Sequence, residues 1–158
     1  RVSLGAGAGL AGDSSLRVPM SWTGDAARAG FTTGTPFRVL AANVQSQNLG
    51  AQQADAQSLW SHYRALIQLR RARASLSRGS HEEPRVSGNV LTFRRQFNGE
   101  DTLVAINTGD AVRTSIPNLL PGARYRVLLP ASANTVEVGA DGTLTLDLPA
   151  RSTVVLAP

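Results

Sequence analysis

Beyond Gly79 the apolar residues of this chain recur at every second position, and the pattern persists almost to Pro158. A period of two belongs to half-buried strands, whose successive side chains point to opposite faces of a sheet. Asn89–Phe97 and Thr102–Thr108 alternate in this way on either side of Asn98-Gly99-Glu100-Asp101, a strong hairpin signal. Further strands are expected at Val112–Ile116, Arg124–Leu129, Thr135–Val138, Thr143–Leu148 and Ser152–Leu156. Pro117, Pro121-Gly122 and Asp141-Gly142 supply turn chemistry between them. Short strands this closely spaced predict an antiparallel sandwich or Greek-key sheet. A module of about 75 residues would be only marginally stable alone.

Upstream of Gly79 the period is helical. Asp55 is a suitable N-cap, because its carboxylate can accept from the free amides of a first turn. Leu59, Tyr63, Leu66 and Ile67 then fall on one face, and Trp60 and Leu69 widen it. Arg70, Arg71 and Arg73 load the C-terminal half, where cations suit the helix dipole, and Gly79 is a natural stop. So broad an apolar face calls for a large partner surface, and no other part of the sequence obviously supplies one.

Between Ser15 and Ala54 neither period holds, apart from one turn of helix expected near Asp25–Arg28. Structureless stretches of this length are functional or disordered, and Trp22, Phe31 and Phe37 argue for order, since disordered segments are poor in aromatics. Trp22 is read as pinning the loop in preference to lining a ligand surface. Arg17, set before Val18-Pro19, could fork onto a carboxylate or onto sugar hydroxyls. The Gly5-Ala6-Gly7-Ala8-Gly9 run lacks the strand and helix that a phosphate-cradling loop needs, and reads as a turning loop.

Composition narrows the chemistry further. The 16 basic residues are all arginine and give a net charge of +5, but they are dispersed along the 158 residues, which disfavours a nucleic-acid partner. No apolar run approaches the roughly 18 residues that would cross a bilayer, so no membrane partner is expected. With no cysteine and only His62 and His81, no metal site is expected. Both histidines read as structural, and no Ser/His/Asp arrangement can be assembled. Glu82-Glu83 are neighbours in a loop and not a catalytic pair. The chain starts at Arg1 without a methionine or an apolar leader, and reads as an internal or processed piece.

Specific motifs add a resemblance. Arg17-Val18-Pro19-Met20-Ser21-Trp22 resembles the R-T-P-M-Q-W stretch of the α-amylase family, especially its α-glucosidase and trehalose-synthase branches, with Val18 in place of Thr and Ser21 in place of Gln. Ala29–Phe37 is similar to the A-G-F-S/T-T-G-x-P-W/F that follows there. Asn43-Val44, Ala51-Gln52, Asp55, Ser58-Leu59, Tyr63-Arg64 and Leu66-Ile67 resemble the run into the family's last barrel helix, and Arg78-Gly79-Ser80 the entry to its C-terminal β domain.

The resemblance implies a mixed α and β fold: the tail of a (β/α)8 barrel, with its long loop and last helix, followed by an antiparallel all-β C-terminal sandwich domain. Residues 1–81 would end the catalytic barrel and residues 82–158 would form the β domain. The family cleaves α-1,4-glucosidic bonds with retention: one Asp attacks, a Glu protonates the leaving oxygen, and a second Asp steadies the sugar. All three would lie upstream of Arg1, so no catalytic residue is assigned in this chain and the chain alone is expected to be inactive. Arg17 is the one substrate-binding residue implied. The implied partners are an α-glucan or malto-oligosaccharide and the remainder of the barrel. No cofactor is implied; calcium could serve the parent enzyme, but no ligands for it are identifiable here. The competing reading is a stand-alone carbohydrate-binding or interaction β module without catalysis.

Overall fold

The computed structural model describes residues 17–158, so the glycine-rich run Gly5–Gly9 lies outside the described residues. Contacts divide the chain into two units, Arg1–Ala65 and Leu66–Pro158.

In the first unit the backbone runs through turns from Arg17 to a short helix α1, Leu49–Ala54. Asn48 caps it: the side-chain oxygen accepts from Ala51 N at 2.9 Å. Sequence periodicity does not reveal this helix, because none of its six residues is buried. The longer helix α2, Leu59–Ala72, begins in this unit and ends in the second. Asp55 does not cap it. Asp55 closes the end of α1, and its carboxylate accepts from Gln57 N at 2.8 Å in a tight local turn. The first-turn amides of α2 are satisfied by Ser58 Oγ, which accepts from Ser61 N at 3.1 Å, and by Gln52 Oε1, which accepts from Trp60 N at 3.1 Å. Leu59, Tyr63 and Ile67 are all more than half exposed, whereas Trp60, Leu66 and Leu69 are half-buried, so the apolar face of α2 is covered along one side only among the described residues.

In the second unit the helix expected to run to Gly79 breaks at Arg73, which is extended (φ −120°, ψ 117°), and resumes as α3, Ala74–Arg78. Tertiary hydrogen bonds explain the break. Arg73 Nε donates to Thr102 Oγ1 at 2.7 Å and its Nη2 to the Asp101 carbonyl at 2.8 Å. Ser75 N donates to Glu100 Oε1 at 2.6 Å, while the Ser75 and Thr102 hydroxyls meet at 2.7 Å in a buried contact.

Eight strands follow: β1 Ser80–Ser87, β2 Val90–Phe97, β3 Glu100–Asn107, β4 Val112–Ile116, β5 Arg124–Leu129, β6 Thr135–Glu137, β7 Leu144–Leu148 and β8 Ser152–Ala157. Six of them form one sheet in the order β1-β2-β3-β8-β5-β6, and β4 pairs with β7 in a second. Every pairing is antiparallel. The hairpin turn is tighter than the four residues expected. Phe97 pairs with Glu100, and Asn98 (φ 47°) and Gly99 (φ 82°) alone make the turn, both in the left-handed region of a primed turn. Glu100 and Asp101 therefore belong to β3.

Strand β1 was not expected. It is an edge strand exposed along nearly its whole length, with a bulge between Glu82 and Arg85, so it lacks the alternation that marks the others. One core joins the two sheets: Val90, Leu103, Ala105, Tyr125 and Leu156 of the larger meet Ile116, Leu144, Leu146 and Leu148 of the smaller. Strand β3 is buried on both faces, with Leu103 and Ala105 toward this core and Thr102 on the face where α3 packs.

The α3–β3 contact has a pH signature. Hydrogen bonding from Ser75, and then the Arg73 guanidinium 3.8 Å away, hold the Glu100 carboxyl below its ordinary value of 4.5. A carboxyl whose folded pKa is depressed adds stability above its unfolded pKa and loses it as pH falls through the folded value. Glu100→Gln should therefore be less stable than the parent chain in urea at pH 7, with the gap closing below pH 4.5. A gap of constant size across that range would show that the charge plays no part.

Candidate functional site

The loop that carries Arg17 is held by main-chain bonds. The Ala29 carbonyl accepts from Trp22 N at 2.8 Å and from Thr23 N at 3.0 Å, closing a ring whose floor, Ala29, is fully buried. Ala29 N in turn donates to the Asp25 carbonyl at 2.8 Å, the single helical turn expected in this stretch, and the Asp25 carboxylate accepts from Ala27 N at 2.9 Å. Ala29 and Gly30 both take positive φ. A Cβ on Gly30 would come within 3.0 Å of the Thr23 methyl, so glycine is required there on two grounds.

A second set of bonds ties this ring to α1. The carbonyls of Ser21 and Trp22 accept from Leu49 N at 2.9 Å and Gly50 N at 3.1 Å, two of the free first-turn amides of that helix. Asn48, buried at 6% exposure, bonds the Val44 carbonyl at 3.0 Å and the Gln45 carbonyl at 3.3 Å through its side-chain amide. The pinning assigned to Trp22 is thus the work of its backbone, while its indole stays 47% exposed. Nothing in the periodicity points to Asn48; its place before a short apolar-poor helix is the only signal.

Beside this strip lies an open cleft of about 610 Å³. Val18, Met20 and Ser21 of the strip, Leu49 and Gln52 of α1, and Trp60 and Tyr63 of α2 line it. Arg17 is exposed and directly precedes Val18. Trp60, expected in the core, is half-buried and stacks under the Arg64 guanidinium, 5.2 Å from its ring centre. Among the described residues no carboxylate lines the cleft, so it has apolar walls and amide groups but no acid–base pair. Phe31 and Phe37 form a separate tilted pair, ring centres 5.9 Å apart, and both are exposed.

The histidines take no part. His62 meets Tyr63 edge-on at 6.5 Å, and His81 stacks on Phe93 at 4.4 Å. Among the described residues no group of three His, Asp or Glu side chains could hold a metal ion.

Residues 5–79 match the catalytic domain of α-amylase, and residues 84–158 match the C-terminal all-β domain of the same enzymes. The chain is 33% identical over 101 residues to oligo-1,6-glucosidase of Halalkalibacterium halodurans, a match that covers 61% of this chain and 17% of that enzyme. It is 39% identical over 93 residues to trehalose-6-phosphate hydrolase of Escherichia coli, covering 58% of this chain and 16% of that one. The crystal structure of trehalulose synthase MutB from Pseudomonas mesoacidophila MX-45 superposes with a TM-score of 0.65 at 30% identity, over 89% of this chain and 25% of the synthase. An inactive double mutant of MutB gives a TM-score of 0.70 at 28% identity. The chain thus spans about a sixth of the curated relatives' length and a quarter of the solved ones. With both domain matches in the family's own order, the chain belongs to the α-amylase family, corresponds to its C-terminal portion, and is related within it to the trehalulose-synthase and α-glucosidase branch.

Proposed function

We propose that this chain supplies one wall of the substrate pocket and the C-terminal β domain to a retaining glycosidase that hydrolyses α-1,4-glucosidic bonds. Residues 1–81 would complete the catalytic barrel as its last loop and helix, and residues 82–158 would form the appended β domain. The observation that carries the reading is the Arg17–Trp22 strip, whose end is joined to α1 by the Ser21 and Trp22 carbonyls. A strip anchored at that end reduces the cost of ordering Arg17 against a sugar. No carboxylate lies in the Arg17–Trp22 strip, so nucleophile, acid and sugar-steadying group would come from other parts of the barrel. The uncovered stripe Leu59, Tyr63 and Ile67 supports the barrel reading, because the last helix of a barrel lays its apolar side on strands.

In this reading Arg17 forks onto hydroxyls of the non-reducing glucose. Joined to its barrel, the Arg17→Ala enzyme should lose kcat/KM on maltotriose by about ten- to a hundredfold, the worth of one or two hydrogen bonds from a charged donor. The 158 residues alone should release no glucose from maltodextrin. Unchanged kinetics in Arg17→Ala would remove Arg17 from the pocket, and turnover by the isolated chain would overturn the division of labour.

A further inference from the structure

The second unit contains a half-open cavity of about 470 Å³ between the inner face of β1–β2 and the strand pair β4–β7. Its residues all belong to that unit, whereas Arg17 belongs to the first. Thr92 on β2 and Thr114 on β4 line it, and both are more than nine-tenths buried, at 5% and 8% exposure. Neither hydroxyl has a hydrogen-bond partner among the described residues, and neither is sealed from solvent. Both therefore open onto the cavity. Thr92 sits in register with Arg85 of β1, and Ser87 of β1 with Val90, which places Arg85 and Ser87 on the same inward side at the edge of the sheet. Ser115 and Thr143 complete the polar rim, and Val90 and Pro117 give it apolar patches.

The Thr92 and Thr114 hydroxyls keep water contact on a face where Val90 shows that an aliphatic side chain is accommodated, so a ligand that displaces that water must replace its hydrogen bonds. We infer that the cavity is a binding site for a neutral pyranose, one glucosyl unit of an α-glucan, remote in sequence from the Arg17 strip. Three features select that class. Side-chain hydroxyls donate and accept, as sugar hydroxyls do, whereas an anion would use only their donors. Arg85 is the one cation in the lining, and its planar fork spans a pair of adjacent hydroxyls. The apolar patches suit the C–H face of a sugar ring, and the volume falls within the range of small-molecule pockets. The choice of glucose as the sugar rests on the glycosidase reading above; the preference for a neutral sugar rests on the cavity itself.

The test is a titration of the full 158-residue chain with maltotriose, followed residue by residue in amide NMR spectra, and repeated with inorganic phosphate. Maltotriose should shift resonances of Arg85, Thr92 and Thr114. Thr92→Val and Thr114→Val preserve shape on a strand, and each should weaken binding about three- to tenfold. Arg85→Ala, at the exposed edge, provides a variant with no core change and should weaken it as well. Arg17→Ala should leave these shifts intact, so failure of the pocket reading and failure of this one are separable. Shifts confined to the Arg17–Trp22 strip, no shifts at all, or saturation by phosphate alone would each overturn the cavity assignment.

Discussion

Leu103→Ala should unfold the second unit at moderate temperature or lower its melting midpoint by more than about ten degrees. Leu103 is 1% exposed on β3, the strand between β2 and β8, and it faces Leu156 across the ladder. Its side chain belongs to the core that joins the two sheets, with Leu144, Leu146 and Leu148 arriving from the smaller one. Truncating a buried leucine removes the transfer free energy of three carbons and leaves a void, together about 2–5 kcal/mol. For a unit of this size each kcal/mol displaces the midpoint by about 4–8 °C. Circular dichroism melts of the parent chain and the variant measure it, with Val86→Ala as the control because Val86 is 77% exposed. A loss below about 1 kcal/mol would mean that the two sheets do not share the core described.

Gly79→Ala should cost nearly as much by the opposite route. A methyl group there would collide with the Ser75 carbonyl oxygen and lie 2.8 Å from that of Gln96. Both obstacles are backbone, and neither can rotate away. The glycine lets the end of α3 close against β2: Gly79 N donates to the Ser75 carbonyl at 3.0 Å, and Arg95 Nη2 donates to the Gly79 carbonyl at 2.6 Å. Its φ of −68° is ordinary, so the requirement is for space and not for backbone freedom. Overpacking of this kind costs about 1–3 kcal/mol, and more where backbone must shift. Hydrogen exchange should show the loss concentrated at Arg73, Ser75 and Thr102, because α3 must lift away from the sheet. An alanine variant with parent-like protection at Ser75 would contradict the close approach.

What could be read from the residues alone follows from how local each cause is. The Asn98-Gly99 turn and the alternating strands announce themselves, because one turn type and one period account for them. The stop at Gly79 was legible, but its reason was not, since the Gln96 carbonyl is distant in sequence. The helix break at Arg73 lay hidden because Thr102 and Asp101, almost thirty positions on, compete for the side chain that a continuous helix would leave in solvent. Asp55 is not the cap because Ser58, three residues on, and Gln52, reaching forward from α1, offer the same capping chemistry to the first turn of α2. Within the candidate site, the Arg17–Trp22 motif is visible only through its resemblance to a family. The anchoring of its backbone to α1 has no signature in sequence. Thr92 and Thr114 likewise look like ordinary strand residues until the fold brings them to one cavity.

Among the described residues the six-stranded sheet does not close and no strand pairs with either margin, and an unpaired margin invites a strand from another molecule. Here one margin is β6, only three residues long, too short to template a stable addition. The other is β1, where Glu82, Glu83 and Arg85 bring charge, Pro84 withholds an amide, and the bulge with Glu83 at φ 48° bends the ladder out of line. The irregularity that concealed β1 in the sequence therefore guards the sheet against polymerising edge to edge.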